Sequence, residues 1–333
     1  MASGPTAEIG LVGDVYVERE DPAGAIRAAA PYLAERFDLR FANLETTFST
    51  RGKLKRSFPW ASLRANPHNV AVLTAGKFDV VSIANNHTMD YGPDALMDTV
   101  ALLDQHGIRY VGAGANWNRA WKMEVLEAHG VRVGFLAVEA TQWTWIEHDA
   151  MPDRPGMAAV FVSPFFPDHV DGYRLRHLLE TVERCRPQVD ALVVSMHWGM
   201  SVSQQVCTYQ SFVGRQLIDR GADVVVGTHP HTLQGVEVYR RRVICHSLGN
   251  FVFDSLLLPP ESAVVGCTFS KRGLERAFLR PTTQADGQVH VLSPSEGRGR
   301  PIVETLQRLS ADLDTYLKVD GDELVIIDRR GDE

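Results

Sequence analysis

Asp223-Val224-Val225-Val226-Gly227-Thr228-His229-Pro230-His231 runs from three β-branched residues into two imidazoles one residue apart. A branched Cβ crowds a helix and suits a pleated, buried surface, so the valines read as an inner strand. In open α/β sheets, ligands gather just beyond the carboxyl ends of the strands. The other apolar runs end in a similar way. After Ile9–Val12 comes Gly13-Asp14, and after Leu39–Ala42 comes Asn43-Leu44-Glu45. After Asp79–Ala84 comes Asn85-Asn86-His87, and after Ala191–Met196 comes His197-Trp198-Gly199. Five strand ends thus deliver two carboxylates, an amide and four imidazoles.

Singly, each feature has a plainer reading. Gly-Asp after a strand is commonly a turn, Asn-Asn suits a left-handed turn, and a lone buried histidine usually satisfies the core. Their recurrence at matched strand ends points instead to a metal site built from Asp14, Glu45, Asn86, His197, His229 and His231. Imidazole, carboxylate and amide oxygen together suit Mn, Zn or Fe, and suit Ca less well. One or two divalent ions are expected, since a carboxylate can bridge a pair about 3.5–4 Å apart.

Helical stretches separate the strands. They are Pro22–Phe37 with Asp21 as N-cap, Asn66–Ala75, Pro93–His106, Val170–Cys185 and Gln210–Arg220. Val131–Val138 reads as a further strand, and Val236–Tyr239 with Arg242–His246 as a hairpin. This alternation predicts an α/β layered fold. Pro301–Leu317 reads as a helix and Glu323–Ile327 as an edge strand. The Pro-rich stretch Thr141–Pro167, with Trp143 and Trp145, is expected to form a lid or one cleft wall.

The bulk numbers narrow the function. A net charge of -7 leaves no basic face for nucleic acid. No apolar run approaches the roughly 20 residues of a bilayer span, and the first residues lack a signal-peptide pattern. A cytoplasmic protein with no membrane partner is therefore expected. Cys185, Cys207, Cys245 and Cys267 form no CxxC pair and read as reduced thiols. The sequence gives no sign of oligomeric state.

Several segments together resemble the CapA family of poly-γ-glutamate capsule biosynthesis proteins. They are Gly13-Asp14…Arg19, Asn43-Leu44-Glu45, Asn85-Asn86-His87…Asp90…Gly92, Gly112-Ala-Gly114, His197-Trp198-Gly199, Gly221-Ala-Asp223…His229-Pro-His231 and Ser247–Phe253. The resemblance covers about residues 8–254, and residues 255–333 are expected to pack on the same domain as an extension. It implies a calcineurin-like metallophosphatase fold of four α/β/β/α layers, with two mixed sheets between helices and the metals at their top. It also implies that His87 points into the cleft as an acid near the leaving group, with Asp90 holding its tautomer. His197 could also serve the chemistry directly. Two departures stand out. Tyr16 replaces an imidazole ligand, and Glu45 replaces an aspartate. The ion at Asp14 and His231 is therefore expected to be the weaker one.

Arg19, Lys55 and Arg56 could clamp a carboxylate or phosphate, and Trp143 could line a pocket for an aromatic side chain. Members of this kind are also found in peptide natural-product pathways, one of them as the tryptophan epimerase of a lasso-peptide pathway. Cα epimerisation of a peptide substrate is thus the first expectation. Metal-dependent hydrolysis of a phosphoester or amide in capsule metabolism is the alternative.

Overall fold

The computed structural model describes residues 4–55, 62–141, 148–163, 169–255 and 257–328. The chain begins β1 (Thr6–Tyr16), α1 (Ala30–Arg36), β2 (Leu39–Leu44), α2 (Ala71–Ala75), β3 (Val80–Ser82) and α3 (Pro93–Gln105). It continues β4 (Arg109–Val111), β5 (Ala113–Gly114), α4 (Trp117–Ala120), β6 (Glu124–Ala128), β7 (Val131–Thr141) and β8 (Gly156–Met157). Next come α5 (Gly172–Cys185), β9 (Ala191–Gly199), α6 (Thr208–Asp219), β10 (Val224–Thr228), β11 (Val236–Tyr239) and β12 (Arg242–Cys245). The last are β13 (Asn250–Phe253), β14 (Glu261–Ser270), β15 (Gly273–Ala285), β16 (Gln288–Val291), α7 (Gly299–Ala311), β17 (Thr315–Asp320) and β18 (Glu323–Asp328).

Two mixed sheets carry the fold. The first has the order β17-β18-β15-β14-β1-β2-β3-β4, with β13 also on β1 and β16 on β15. The second has the order β11-β12-β10-β9-β7-β6. Ile9, Leu11 and Phe41 of the first sheet meet Phe135, Val193 and Val226 of the second in one buried cluster. The Phe41 and Phe135 rings stack there with centroids 5.9 Å apart. Each such side chain stabilises the fold by about 1.5–3 kcal/mol relative to exposure. Helices α1 to α3 cover the outer face of the first sheet, and α4 to α6 that of the second. The expected four layers are present.

The differences from expectation are local. The stretch Pro22–Phe37 is broken into a 3₁₀ turn, Ala23–Ile26, and α1. Pro31 lacks an N–H, so it fits the first turn of α1 but not a helix interior. The tail adds β14 and β15, a long antiparallel pair against β1. Helix α7 stops at Ala311 rather than Leu317, because Asp314 turns the chain at φ 55° and β17 begins. β17 takes the sheet edge, so β18 lies inside it. Of the Pro-rich stretch 141–167, residues 142–147 and 164–167 lie outside the described residues; in the rest Ala150 and Met157 to Val160 are buried, Met151 to Arg154 are exposed, and Glu139 pairs with Ala159. No helix among the described residues is long and apolar enough to cross a membrane. All four cysteines are free.

Candidate metal centre

Strand pairing places the donors. Asp14, two residues before the end of β1, lies in register with Asn43 of β2 on one side and Asn250 of β13 on the other. The preceding Gly13 is required by this crowding: a Cβ there would stand 2.0 Å from the Gly249 carbonyl oxygen. In the second sheet His197 is opposite Thr228. It lies inside β9, two residues short of the strand's end, because the strand runs on to Gly199. The loop beyond β10 holds His229 at φ 94° and His231 at φ 57°. Non-glycine residues held there cost about 1–3 kcal/mol each, a strain that clusters at functional sites.

These elements bring the expected donors together. Ligand atoms of Glu45, His197 and His229 lie within 4.8 Å of one another, and so do those of Asp14, Glu45 and His231. Glu45 belongs to both groups. Its Oε1 is 3.5 Å from His231 Nε2 and 3.7 Å from His197 Nε2. Asn86 Oδ1 stands 2.8 Å from His197 Nε2. With bonds of about 2.1 Å, neighbouring ligands of one ion stand roughly 3 Å apart, so this pair fits a shared ion. The donor set is compatible with divalent metal binding.

Neighbouring amides and a hydroxyl fix the donors. Asn43 Nδ2 donates to Asp14 Oδ1 at 2.8 Å and lies 3.3 Å from His197 Nδ1, tying the two groups together. Thr228 Oγ1 is 2.9 Å from His197 Nδ1, and Asn250 Oδ1 is 2.9 Å from His231 Nδ1. The His229 N–H donates to Asp14 Oδ2. Burial pushes the Asp14 carboxyl above its ordinary value, with His231 and these hydrogen bonds opposing. A cation placed beside it would relieve that cost.

His87 Nδ1 is 2.7 Å from Asp90 Oδ2, and its Nε2 is 3.7 Å from Glu45 Oε1. Nδ1 is thus turned to Asp90 and Nε2 to the donor cluster. Asp90 is fully buried. It also takes the Leu63 N–H on Oδ2 at 2.8 Å.

A description of bacterial capsule synthesis proteins, PGA_cap, matches residues 8–255. The chain belongs to that family. Capsule biosynthesis protein CapA of Bacillus anthracis is 30% identical over 309 residues, spanning 90% of this chain and 70% of that protein. PGA biosynthesis protein CapA of Bacillus subtilis (strain 168) is 29% identical over 283 residues, 81% of this chain and 70% of that one. A novel phosphatase from Mycoplasma pneumoniae shares the fold, with TM-score 0.53 at 12% identity over 85% of this chain and 96% of that chain. The four-layer frame is accordingly metallophosphatase-like. These relatives lend nothing to peptide epimerisation, and hydrolysis in capsule metabolism fits them better.

Within this PGA_cap chain the other expected site residues fare differently. Arg19 is not free to clamp a ligand. Its Nε and Nη2 both donate to Asp254, and Nη1 donates to the Gly287 carbonyl. Lys55 is exposed, and its backbone N–H donates to the Asp90 carbonyl at 2.7 Å. Arg56 and Trp143 lie outside the described residues. Tyr16, at the end of β1, is placed by ring packing. Its ring packs on Phe253 at 5.2 Å, and Phe253 packs on His231 at 5.0 Å. The sequence reading gave no role to Asn43, Thr228 or Asn250. Thr228 directly precedes His229, while Asn43 and Asn250 lie inside the Asn43-Leu44-Glu45 and Ser247–Phe253 motifs.

Proposed function

We propose that this protein is a metal-dependent hydrolase of phosphoester or amide bonds in poly-γ-glutamate-type metabolism. The observation that carries the reading is Glu45, shared by two three-residue donor groups and faced by the imidazole of His87. The names of the CapA relatives and the fold of the Mycoplasma phosphatase support it. Asp14, Glu45, His197, His229 and His231, with Asn86, would hold one or two ions of Mn, Zn or Fe type. When bound, such ions polarise a substrate oxygen and activate water.

The chain's own residues supply the rest. His87 donates a proton to the leaving group from Nε2. Asp90 holds Nδ1 and stabilises the charged ring before that transfer. Asn43 and Thr228 set the His197 ring, and Asn250 sets that of His231; such outer partners commonly account for about 10–100-fold in metal affinity or activity. The partner would be a polyamide chain or a phosphorylated intermediate, with no nucleic acid or membrane.

Metal-reconstituted protein should be incubated in deuterated water with a short γ-glutamyl chain and, separately, an aryl phosphate. New chain termini or free phosphate are expected. Deuterium gained at Cα without cleavage would overturn hydrolysis in favour of epimerisation. No change in either compound would overturn an enzymatic role on both.

A further inference from the structure

We propose that Arg64 is a substrate-binding residue of this site, taking an oxyanion of the substrate beside His87. The inference rests on the hydrolytic reading above and adds to it a residue and a ligand class. The shared chemistry is a carboxylate or phosphoryl group, either of which matches the planar fork of a guanidinium.

Three backbone anchors fix the position of Arg64. The residue before it, Leu63, donates its N–H to the same Asp90 oxygen that holds His87 Nδ1. The residue after it, Ala65, exchanges backbone hydrogen bonds with the segment that follows Glu45. Its N–H donates to the Thr47 carbonyl at 2.9 Å, and its carbonyl accepts from Ser49 N–H at 3.1 Å. Arg64 is thus suspended between the partner of His87 and the segment leaving Glu45. Those bonds fix the Arg64 backbone beside Asp90 and the segment that follows Glu45.

Its side chain is poised as well as placed. The guanidinium carbon lies 4.0 Å over the Tyr91 ring, and Tyr91 follows Asp90 directly. Stacking on an aromatic face orients an arginine yet leaves its N–H groups to donate elsewhere. Among the described residues no carboxylate pairs with Arg64. Other arginines differ: Arg51 is held by Asp98, Arg40 by Asp79 and Arg19 by Asp254. Arg64 is half-buried, so a ligand can reach it while water screens it incompletely.

Titration calorimetry on metal-loaded protein tests this, with inorganic phosphate and tri-γ-glutamate as probes. Arg64→Met should weaken one of them by about tenfold or more, with metal content unchanged. Arg64→Lys should recover part of that loss, since it restores charge but not the fork. Tyr91→Leu, which keeps the cation but removes its platform, should weaken the same probe by a smaller factor. Loss of phosphate affinity names a phosphoryl group, and loss of tri-γ-glutamate affinity names a carboxylate. Unchanged affinity for both probes, no binding of either to the wild type, or loss of metal in Arg64→Met would each overturn the proposal. Arg64-dependent binding without any hydrolysis would sink the functional reading alone. Hydrolysis with Arg64-independent binding would sink this inference alone.

Discussion

Asp14 and Glu237 are both fully buried acids, yet their surroundings push them in opposite directions. The Asp14 carboxyl is raised by burial, and its partners are an imidazole, an amide, a backbone N–H and the Glu45 carboxyl. The Glu237 carboxyl is lowered although burial opposes it, because His246 and the Arg215 guanidinium bond to it. The second cluster brings its own cation on α6. The first brings two carboxylates to one point, and Asp14 pairs with no lysine or arginine among the described residues. Evolution can close a buried acid internally, and near Glu237 it has. Beside Asp14 the chain leaves the positive charge to be supplied from outside, which is what a metal centre needs.

The largest test of that contrast is Asp14→Asn. It should weaken metal binding by more than the roughly 100-fold that an outer partner costs. It should leave the metal-free protein folded, since a neutral amide escapes the cost of a buried charge. Equilibrium dialysis and thermal unfolding report the two effects separately. His87→Ala comes next. It should lower hydrolysis by about 10²–10⁴-fold while metal content stays constant. Loss of metal would make His87 a ligand instead.

Glu237→Gln probes the other side. Removing a charge-assisted buried contact should cost about 1.5–3 kcal/mol in urea unfolding, with metal affinity untouched. A drop in metal affinity would show the two clusters to be coupled. The smallest effect is on pH. Burial lowers the pKa of His246, so the unfolded chain binds more protons than the folded one below the ordinary histidine value of 6.5. Stability should therefore fall as pH drops through that range. Asp14 acts with the opposite sign in metal-free protein. Its raised pKa makes stability fall as pH rises from the ordinary value of 3.8 through the folded value. Asp14→Asn should remove the second slope and leave the first.

Much of this site was legible because its residues are chemically unusual where they stand. A histidine or acid just past a run of valines is conspicuous, and a strand's carboxyl end is where ligands collect. The two-sheet core was legible for the same reason, since strands buried on both faces read as unbroken apolar runs. Other features depend on distant partners. Arg19 looked available until Asp254, more than two hundred residues on, closed around it. The β14–β15 pair was hidden because Ser262, Thr268, Arg276 and Thr282 interrupt its apolar pattern. Arg64 carries no local signal at all, and only its neighbours' hydrogen bonds bring it beside Asp90 and the segment after Glu45.

The central claim is that Glu45 joins two ion-binding groups, and counting metal per chain in Glu45→Gln tests it most directly. Elemental analysis after reconstitution with Mn or Zn should find up to two ions in the wild type. The variant should retain none tightly, because both groups lose their common carboxylate. A variant that keeps the wild-type metal content would contradict the account.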